Sequence, residues 1–365
     1  MNKNEILKAY GKEYKDMTKR LLEKSGLCDE IPGQQTRIGI KPNLLAPTPA
    51  KFGATTHPEV VAGIIEYLQE HGFGDITVAE GAWVGDLTSE AFEYCGYNSL
   101  AREYGVKIID AQKDTSFAAD CGGVNLNICQ CVQNFDFLIN VPVLKGHCQT
   151  QVTCALKNMK GLIPNTEKRR FHSMGLHSPI AHLGLGIHQD FIVIDHICGD
   201  PDFEEGGSPL VRDCVMAAKD PVLVDAYAST LLGYGARQVE YVRLAEELGI
   251  GSADLSSLRL VTIEGENTED LPDRHRILDV SYAVDETESC SACYGMLIEA
   301  LSRLKDDGLL DKLNEKICIG QGWRGKKGKL GVGACTAAFE HSIPGCPPDA
   351  DAIYNYLVKF LHLYI

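Results

Sequence analysis

The feature that most constrains the fold is a regular alternation of short apolar runs with longer helical stretches over residues 37–264. Six runs are predicted as buried strands: Arg37–Leu45, Asp75–Gly81, Val106–Ala111, Phe135–Lys145, Phe191–Ile197 and Leu258–Glu264. Helical periodicity predicts helices over His57–His71, Thr88–Tyr104, Pro221–Leu232 and Gln238–Leu248. We therefore expect an α/β fold, with a mostly parallel sheet and helices on both faces. Ligands of such sheets bind beyond the carboxyl ends of the strands.

The character of the sequence changes after residue 264. Residues 265–289 are acidic and contain proline, so we predict a linker between an α/β domain of residues 1–264 and a C-terminal region of residues 290–365. Within the C-terminal region we predict a helix over Cys293–Asp306, a strand over Lys316–Gly320 and a last helix from Pro347 to about His362. This region is thus a smaller α/β unit that contains cysteines. The first 26 residues are predicted to form an amphipathic helix.

Charge and hydropathy restrict the cellular setting. The net charge of −15 argues against nucleic acid and anionic membranes as partners, because both attract basic surfaces. The N-terminus lacks the apolar core of a signal peptide, and no run is apolar enough to span a membrane. We expect a cytoplasmic protein. Disulfides are rare in such a reducing compartment, so they do not explain the 14 cysteines of the chain.

Four cysteines of the C-terminal region have the surroundings of metal ligands. Cys290 and Cys293 form a CxxC motif that opens a predicted helix, whose N-terminus favours thiolates. Cys335 and Cys346 follow in turns that contain glycine, and two prolines come after Cys346. Such a set suits a [4Fe–4S] cluster, which is the cofactor we predict, with these four cysteines as its ligands.

Two alternatives to a cluster remain. Four cysteines also suit a structural Zn²⁺, although zinc usually takes two closely spaced pairs and only one pair is close here. The second alternative is that the cysteines are plain core residues, which explains a CxxC motif poorly. Five Lys and Arg without an acid lie between Glu315 and Glu340, and they would offset the negative charge of a cluster. Cys318 lies mid-strand and is predicted to be a core residue, with a reserve role as ligand.

A second informative segment lies between Asp136 and Asp190, where six Lys and Arg stand against one acid. Lys145 and His147 follow the most apolar strand, and Lys157 and Asn158 lie on a short predicted helix close behind. A strand end, a helix N-terminus and several cations together predict a site for a phosphate or carboxylate. A plain solvated basic face is the alternative. We predict catalytic roles for Lys145, His147 and His172, and substrate binding by Lys41, Asn43, Lys157, Asn158, Lys168, Arg169 and Asp225.

Six stretches, in consistent order, resemble the family named domain of unknown function 362. They are KPNLL (41–45), HPEVV (57–61), VPVLKGH (141–147), TCALKNMKG (153–161), EKRRFH (167–172) and KDPVLVDA (219–226). The resemblance implies an iron–sulfur association, in many members on an appended ferredoxin-like module. This chain lacks the tandem CxxCxxC runs of that module, so its cluster would use the different cysteine set above. The family is also distantly similar to the nickel-dependent lactate racemase fold, which implies a small hydroxy acid or other carboxylate as ligand.

These patterns together predict an oxygen-sensitive iron–sulfur enzyme, an oxidoreductase or a cluster-dependent lyase or isomerase, that acts on a small anion. In that interpretation His147 or His172 transfers a proton, and the surrounding cations hold the anion. The alternative is a non-enzymatic electron-transfer or accessory protein whose basic segment docks an acidic partner. The identity of the substrate and the oligomeric state remain open.

Overall fold

A computed structural model describes residues 1–206, 209–266 and 277–364 of the chain. Two compact units are present: Met1–Phe171 with Leu176–Pro272, and His172–Gly175 with Asp273–Ile365. The predicted α/β class is confirmed in both, because strands alternate with helices in each. No helix among the described residues has both the length and the apolar character needed to cross a bilayer.

Strands of the first unit form one large sheet and two small hairpins. They are β1 (Glu5–Tyr10), β2 (Ile38–Pro42), β3 (Ile76–Glu80), β4 (Lys107–Asp110), β5 (Ser116–Asp120), β6 (Asn125–Cys129), β7 (Phe137–Val141), β8 (Lys145–His147), β9 (Gln151–Thr153), β10 (Phe191–Gly199), β11 (Leu210–Ala218) and β12 (Arg259–Glu264). The sheet order is β12-β1-β11-β10-β7-β2-β3-β4, and β5–β6 and β8–β9 pair separately. Among these described strands, β11 alone runs antiparallel to its neighbours in the large sheet. The predicted mostly parallel sheet is therefore confirmed.

Helices cover both faces of this sheet, as predicted. They are α1 (Tyr14–Ser25), α2 (Leu27–Glu30), α3 (Pro58–Glu70), α4 (Thr88–Tyr94), α5 (Tyr97–Tyr104), α6 (Ala155–Asn158), α7 (Asn165–Ser173), α8 (His177–Gly186), α9 (Pro221–Leu231) and α10 (Glu240–Glu247). Alternate strand residues such as Ile38, Ile40 and Ile139 pack with α1, α3, α4 and α5 in one core. On the other side α6 contacts β7, and α6, α8, α9 and α10 contact one another.

The order of the strands places a switch point beside β2, where α/β sheets usually have their ligand crevice. After β2, the next strands β3 and β4 are added on one side of it. The later strands β7 and β10 lie on the other side of β2. The reversal lies between β2 and β7, which pair in parallel from Ile38–Phe137 to Pro42–Val141. At such a switch point the loops that leave the two strands diverge and open a space for a ligand. Lys41 and Asn43 lie at the carboxyl end of β2.

The N-terminal expectation was partly wrong. Residues 5–10 form the buried strand β1, and the helix begins only at Tyr14. β1 is held between β11 and β12, which satisfies its backbone on both sides. The charged residue that obscured the strand pattern is Lys8, whose Nζ is buried and donates to the Tyr227 hydroxyl at 2.8 Å.

The second unit contains a four-stranded parallel sheet and two long helices. Its strands are β13 (Val284–Glu286), β14 (Ile317–Ile319), β15 (Leu330–Val332) and β16 (His341–Ile343), paired in that order. Helix α11 (Ser291–Asp306) packs against α12 (Ala350–Tyr364). Of the predicted linker, residues 267–276 lie outside the described residues. Its last part contains β13, which pairs with β14 and so belongs to the second unit.

Candidate functional site

The first site is a buried ion pair at the carboxyl edge of the large sheet. Lys41 Nζ at the end of β2 donates to Glu80 Oε2 at the end of β3, at 2.8 Å. The same Glu80 oxygen accepts the Leu44 amide, and its other oxygen accepts the Gly81 amide, at 2.8 and 2.7 Å. Burial lowers the pKa of Lys41, and the Glu80 carboxylate opposes that effect. The pair fixes the start of the loop that follows β2.

Three asparagine side chains continue this network towards β7. Asn158 Oδ1 on α6 accepts from Lys41 Nζ at 3.2 Å and from Asn43 Nδ2 at 2.8 Å. Its Nδ2 donates to Asn140 Oδ1 at 2.7 Å. All of these side chains are buried. Asn158 is therefore the junction that joins the ends of β2 and β7 through α6, and its polar atoms are already engaged.

Lys145 is buried near this switch point, among the loops that follow β2 and β10. Its Nζ donates to Asn43 Oδ1 and to the Glu204 carbonyl, both at 2.8 Å, and also to the Ala54 carbonyl. Three acceptors suit the three protons of an ammonium group. Burial nevertheless lowers the pKa of Lys145 to about 7, because the charged amine is removed from water. The ammonium group can therefore lose a proton near neutral pH.

The carboxylate of Glu204 occupies the centre of the cation cluster. Lys157 Nζ donates to Glu204 Oε2 at 2.9 Å, and His147 Nε2 is in close contact with the same oxygen. His147 Nδ1 accepts the amides of Gln149 and Thr150, at 3.0 and 3.1 Å, so the ring proton belongs on Nε2, facing Glu204. Burial lowers the pKa of His147 to about 3, which keeps the ring neutral. Burial raises the pKa of Glu204, but His147 and Lys157 outweigh it and hold the pKa well below its usual range.

The predicted cations of α7 are not all brought to this network. Lys168 is buried, and its Nζ donates to the carbonyls of Gly81 and Ala82, at 2.9 and 2.7 Å. Burial lowers its pKa to about 8. Arg169 is exposed, because adjacent helical residues point about 100° apart. His172 is half-buried and falls in the second compact unit. Among the described contacts, none joins Arg169 to Lys41, Lys145 or Lys157.

Asp225, which we predicted to bind substrate, contacts the backbone of α6. Its carboxylate accepts the backbone amides of Ala155 and Leu156, at 2.6 and 3.1 Å, and it is fully buried on α9. Burial raises the pKa of Asp225 to about 7. Both oxygens are thus used to hold the first turn of α6, the helix that carries Lys157 and Asn158. These contacts fix the position of that helix.

Sequence analysis missed the two carboxylates that organise the crevice. Glu80 ends the strand run DITVAEG, and an acid at the end of a buried strand was the available signal. Glu204 lies in the acidic stretch after β10, in which residues 207 and 208 lie outside the described residues. Nothing in its local sequence marks it as the partner of Lys157 and His147. That relationship depends on how the loop returns to the sheet.

The second site lies at the carboxyl edge of the small sheet. Cys290 and Cys293 follow β13, Cys335 follows β15 and Cys346 follows β16. Because β13 to β16 are parallel, their carboxyl ends meet at one edge, and the four cysteines come to the same side. Cys290 is the N-cap residue of α11 and Cys346 is exposed. Three different strand ends of this unit therefore carry the four cysteines.

The loop after β14 supplies polar contacts to these cysteines. Arg324 Nε donates to Cys335 Sγ at 3.4 Å, and Gln321 Nε2 lies 3.9 Å from Cys290 Sγ. The neighbouring cysteine thiolates also raise the pKa of Arg324. Burial, followed by the charges of the other three thiols, raises the pKa of Cys293 to about 12. Cys318 lies apart on β14 itself and is half-buried.

The donor set can be compared with the predicted cofactor. In the described part of the chain, no group of three or more His, Cys, Asp or Glu is arranged to hold a single metal ion. The four cysteines nevertheless influence one another electrostatically, since Cys290, Cys346 and Cys335 all act on Cys293. Four soft thiols with an arginine beside them have the chemistry of an iron–sulfur ligand set. The chemistry of these donors, rather than their arrangement, is what suits the group.

A protein-family model described as Domain of unknown function (DUF362) matches residues 38–230. This range is more than half of the 365-residue chain and contains the whole network around Lys145. The C-terminal cysteines lie beyond it. A thylakoid-associated protein of Synechocystis sp. is 25% identical over 242 residues, which cover 63% of this chain and 73% of that protein.

Two solved structures are similar at low identity. The lactate racemase apoprotein of Thermoanaerobacterium thermosaccharolyticum is 13% identical, with a TM-score of 0.40 over 67% of this chain. A structural-genomics protein of Thermotoga maritima is also 13% identical, with a TM-score of 0.38 over 68% of this chain. The alignments span 57% and 60% of those two proteins, respectively.

Proposed function

This chain belongs to the family described as Domain of unknown function (DUF362), and we propose that it is an iron–sulfur enzyme that binds a small carboxylate. The carboxylate site is the cluster of Lys145, His147 and Lys157 in the first unit. The cluster ligands are Cys290, Cys293, Cys335 and Cys346 in the second.

The observation that carries this proposal is the position of the Glu204 carboxylate. It has the chemistry of a small-acid substrate and is held by an ammonium group and an imidazole N–H inside the protein. A site that binds one carboxylate so well has the donors to bind another. A substrate acid would enter as the Glu204 side chain leaves, and Lys157 and His147 would hold it through the same atoms.

Proton abstraction beside the substrate carboxylate is the reaction that these residues support. Lys145 has a pKa of about 7, so near neutrality it is available as a base once its proton has left. Its neutral amine would take a proton from the carbon next to the bound carboxylate. The electron pair would move towards the carboxylate oxygens, where Lys157 and the His147 N–H stabilise the added charge. His147, with its pKa of about 3, acts here as a fixed donor rather than as a proton carrier.

The four cysteines are proposed to hold a [4Fe–4S] cluster, with Zn²⁺ as the alternative. When bound, such a cluster supplies one-electron redox chemistry, or Lewis acidity if one iron is open. Arg324 would donate to a cysteine sulfur and so offset part of the negative charge, as it does now with Cys335. Burial of Cys293 makes its free thiolate costly, and ligation by iron would remove that cost.

A cluster-bearing accessory or electron-transfer protein is the second candidate function. The exposure of Cys346 favours it, because a cluster near the surface exchanges electrons readily with a partner. Docking through the basic middle segment is a weaker part of this alternative. Lys145, Lys157 and Lys168 are buried, which leaves Arg169 and Arg170 as its exposed charges.

The anion site is tested by chemical rescue of a Glu204→Ala variant. Removing one partner of a buried ion pair costs about 3–5 kcal/mol, so we expect the free energy of unfolding to fall by about that amount. Added sodium formate should restore stability by binding the vacated donors, whereas sodium chloride at equal ionic strength should not. A matched control is Glu246→Ala, which removes an exposed ion pair with Arg237 and should show no rescue by formate. Equal effects of formate and chloride on Glu204→Ala would contradict the proposal.

The enzymatic part is tested by hydrogen exchange. Wild-type protein, purified without oxygen, is incubated in D2O with small 2-hydroxy acids, and loss of the carbon-bound proton is followed by NMR. We expect exchange that Lys145→Met abolishes while iron content is unchanged. An accessory protein would bind formate and retain its iron but show no exchange with any of the acids.

A further inference from the structure

A second set of reactive side chains lies on the other side of the loop that follows β2. His57 precedes α3, and its Nδ1 lies 2.9 Å from Asp195 Oδ2 on β10. The same Asp195 oxygen accepts the His57 amide at 2.7 Å, which fixes the position of the ring. On the other side of the ring, His57 Nε2 lies 3.9 Å from Cys198 Sγ. A thiol, an imidazole and a carboxylate are therefore aligned in series.

The path of β10 brings Asp195 and Cys198 together. Residues three apart on a regular strand point to opposite faces of the sheet. The pairing of β10 with β11 shifts in register between His196 and Cys198, so the strand is irregular at this point. Such irregularities re-aim side chains and occur often beside active sites. Here the shift allows Asp195 and Cys198 to contact the same histidine.

We propose that Cys198, His57 and Asp195 form a nucleophilic thiol site, separate from the carboxylate site around Lys145. Asp195 holds the proton on Nδ1 and orients the ring, and Nε2 faces the sulfur as a base. The ligand such a site takes is a molecule with an electrophilic carbon, of which an activated carbonyl is the common biological form. The proposal does not depend on the function assigned to the Lys145 cluster.

The reaction is a substitution at the electrophilic carbon. The Cys198 proton passes to His57 Nε2, and the sulfur electron pair forms a bond to the carbon. The bond to the leaving group breaks with its electron pair, and the leaving group takes the proton from His57. Asp195 stabilises the imidazolium that exists between these two transfers. No oxidant or reductant is required.

The surroundings of the ring stabilise the imidazolium that forms when Nε2 takes the Cys198 proton. Burial by itself lowers the pKa of His57, but Asp195 outweighs it and raises the pKa to about 10. The Tyr14 ring approaches His57 edge-on at 5.6 Å, and the Tyr14 hydroxyl donates to Asp213 Oδ1 at 2.6 Å. The described contacts place three titratable groups against the ring, namely Asp195, Cys198 and Tyr14. Asp213 lies behind Tyr14.

Cys95 provides a matched control within the same chain. Cys198 and Cys95 have similar exposed fractions, 4% and 5%. Each sulfur also lies 3.3 Å from a backbone carbonyl oxygen, that of Ala50 for Cys198 and that of Thr48 for Cys95. The described contacts of Cys95 include no histidine, and burial raises its pKa. A difference in reactivity between the two thiols therefore reports on His57 rather than on burial.

The test is alkylation of the folded, full-length protein with iodoacetamide, with the modified cysteines identified by peptide mass spectrometry. At neutral pH we expect Cys198 to react at least about tenfold faster than Cys95, because His57 Nε2 lies next to its sulfur and can take the thiol proton as the new bond forms. His57→Gln should lower the Cys198 rate to about that of Cys95 and leave Cys95 unchanged. Equal rates in the wild type, or a Cys198 rate that His57→Gln does not change, would overturn the proposal.

If His57→Gln does not fold, the alkylation rates of the two cysteines in the wild-type protein, measured as a function of pH, test the proposal instead. Between about pH 6 and pH 9 the Cys198 rate should depend less on pH than the Cys95 rate, since His57 Nε2 rather than the solvent takes the proton of the attacking thiol. The Cys95 rate should rise with pH over the same range, as for an ordinary thiol. Parallel rises for the two cysteines would show that Cys198 is not paired with His57 and would overturn the proposal.

Discussion

Lys41 and Glu80 form an ion pair across two neighbouring parallel strands, with side chains that are 0% and 2% exposed. Each lies at the carboxyl end of its strand, and Glu80 also accepts the amides of Leu44 and Gly81. The pair therefore ties the loops after β2 and β3 to the sheet. These loops, in turn, carry Asn43 and the carbonyls that Lys168 binds.

Replacing Glu80 by Gln should be strongly destabilising. The substitution leaves the Lys41 ammonium buried without a counter-charge, and breaking a buried pair in this way costs about 3–5 kcal/mol. Unfolding in urea, followed by circular dichroism, measures the change. Glu246→Gln is the control, because its partner Arg237 is 53% exposed and such a surface pair contributes about 0–1 kcal/mol. Similar losses in both variants would show that the Lys41–Glu80 pair has no special role.

Gly161→Ala should disturb the same pair from the opposite side. A Cβ at residue 161 would stand 1.9 Å from Glu80 Oε1 and 2.5 Å from Lys41 Cε, so the ion pair would have to move. Forcing extra atoms into a packed interior costs about 1–3 kcal/mol. Gly74→Ala is the control, because a Cβ there meets nothing within 4 Å. Urea unfolding of both variants checks the prediction, which fails if Gly161→Ala is as stable as Gly74→Ala.

The His57–Asp195 pair should make stability depend on pH. Asp195 raises the pKa of His57 from 6.5 to about 10, so the folded protein binds an extra proton between those values. The contribution is complete below pH 6.5 and is lost as the pH rises through about 10. We expect the stability gap between wild type and His57→Gln to narrow by about 1.4 kcal/mol per pH unit in that window. Urea unfolding at several pH values measures the gap, and a constant gap would contradict the assignment of the charge to His57.

Strand and helix positions were largely predictable, because they depend on local periodicity. Each of the six predicted strands overlaps a strand of the large sheet. The two missed strands of the large sheet have patterns that are interrupted by charge: β1 contains the buried Lys8, and the outer part of β11 contains Arg212 and Asp213. Thr88–Tyr104 forms two helices rather than one, because Gly96 between them has a φ of +82°.

The candidate sites were predictable as regions but not as contacts. The position of Lys145 after a buried strand indicated the crevice, since strand ends of a parallel sheet share one edge. Lys168 and Arg169 are adjacent, and the rotation of α7 about its axis decides which of the two side chains points inward. The order of charged residues in the sequence does not specify that rotation. The roles of Glu204 and Asp225 depend on contacts between residues 47 to 70 positions apart in sequence. Such pairings arise from tertiary packing and leave no local pattern.

The cysteine assignment predicts a clear difference among single variants. Protein purified without oxygen should contain about four irons and as many sulfides per chain. Cys335→Ser and Cys346→Ser should each lose most of that iron, because they remove a thiolate from the converging set. Cys318→Ser is the control: this residue lies within β14 rather than beyond a strand end, so its variant should retain the iron. Metal and sulfide analysis, together with the visible absorption spectrum, measures the cluster content of each variant. One zinc per chain without sulfide would replace the cluster by a structural ion, and iron loss in Cys318→Ser alone would move the ligand set onto β14.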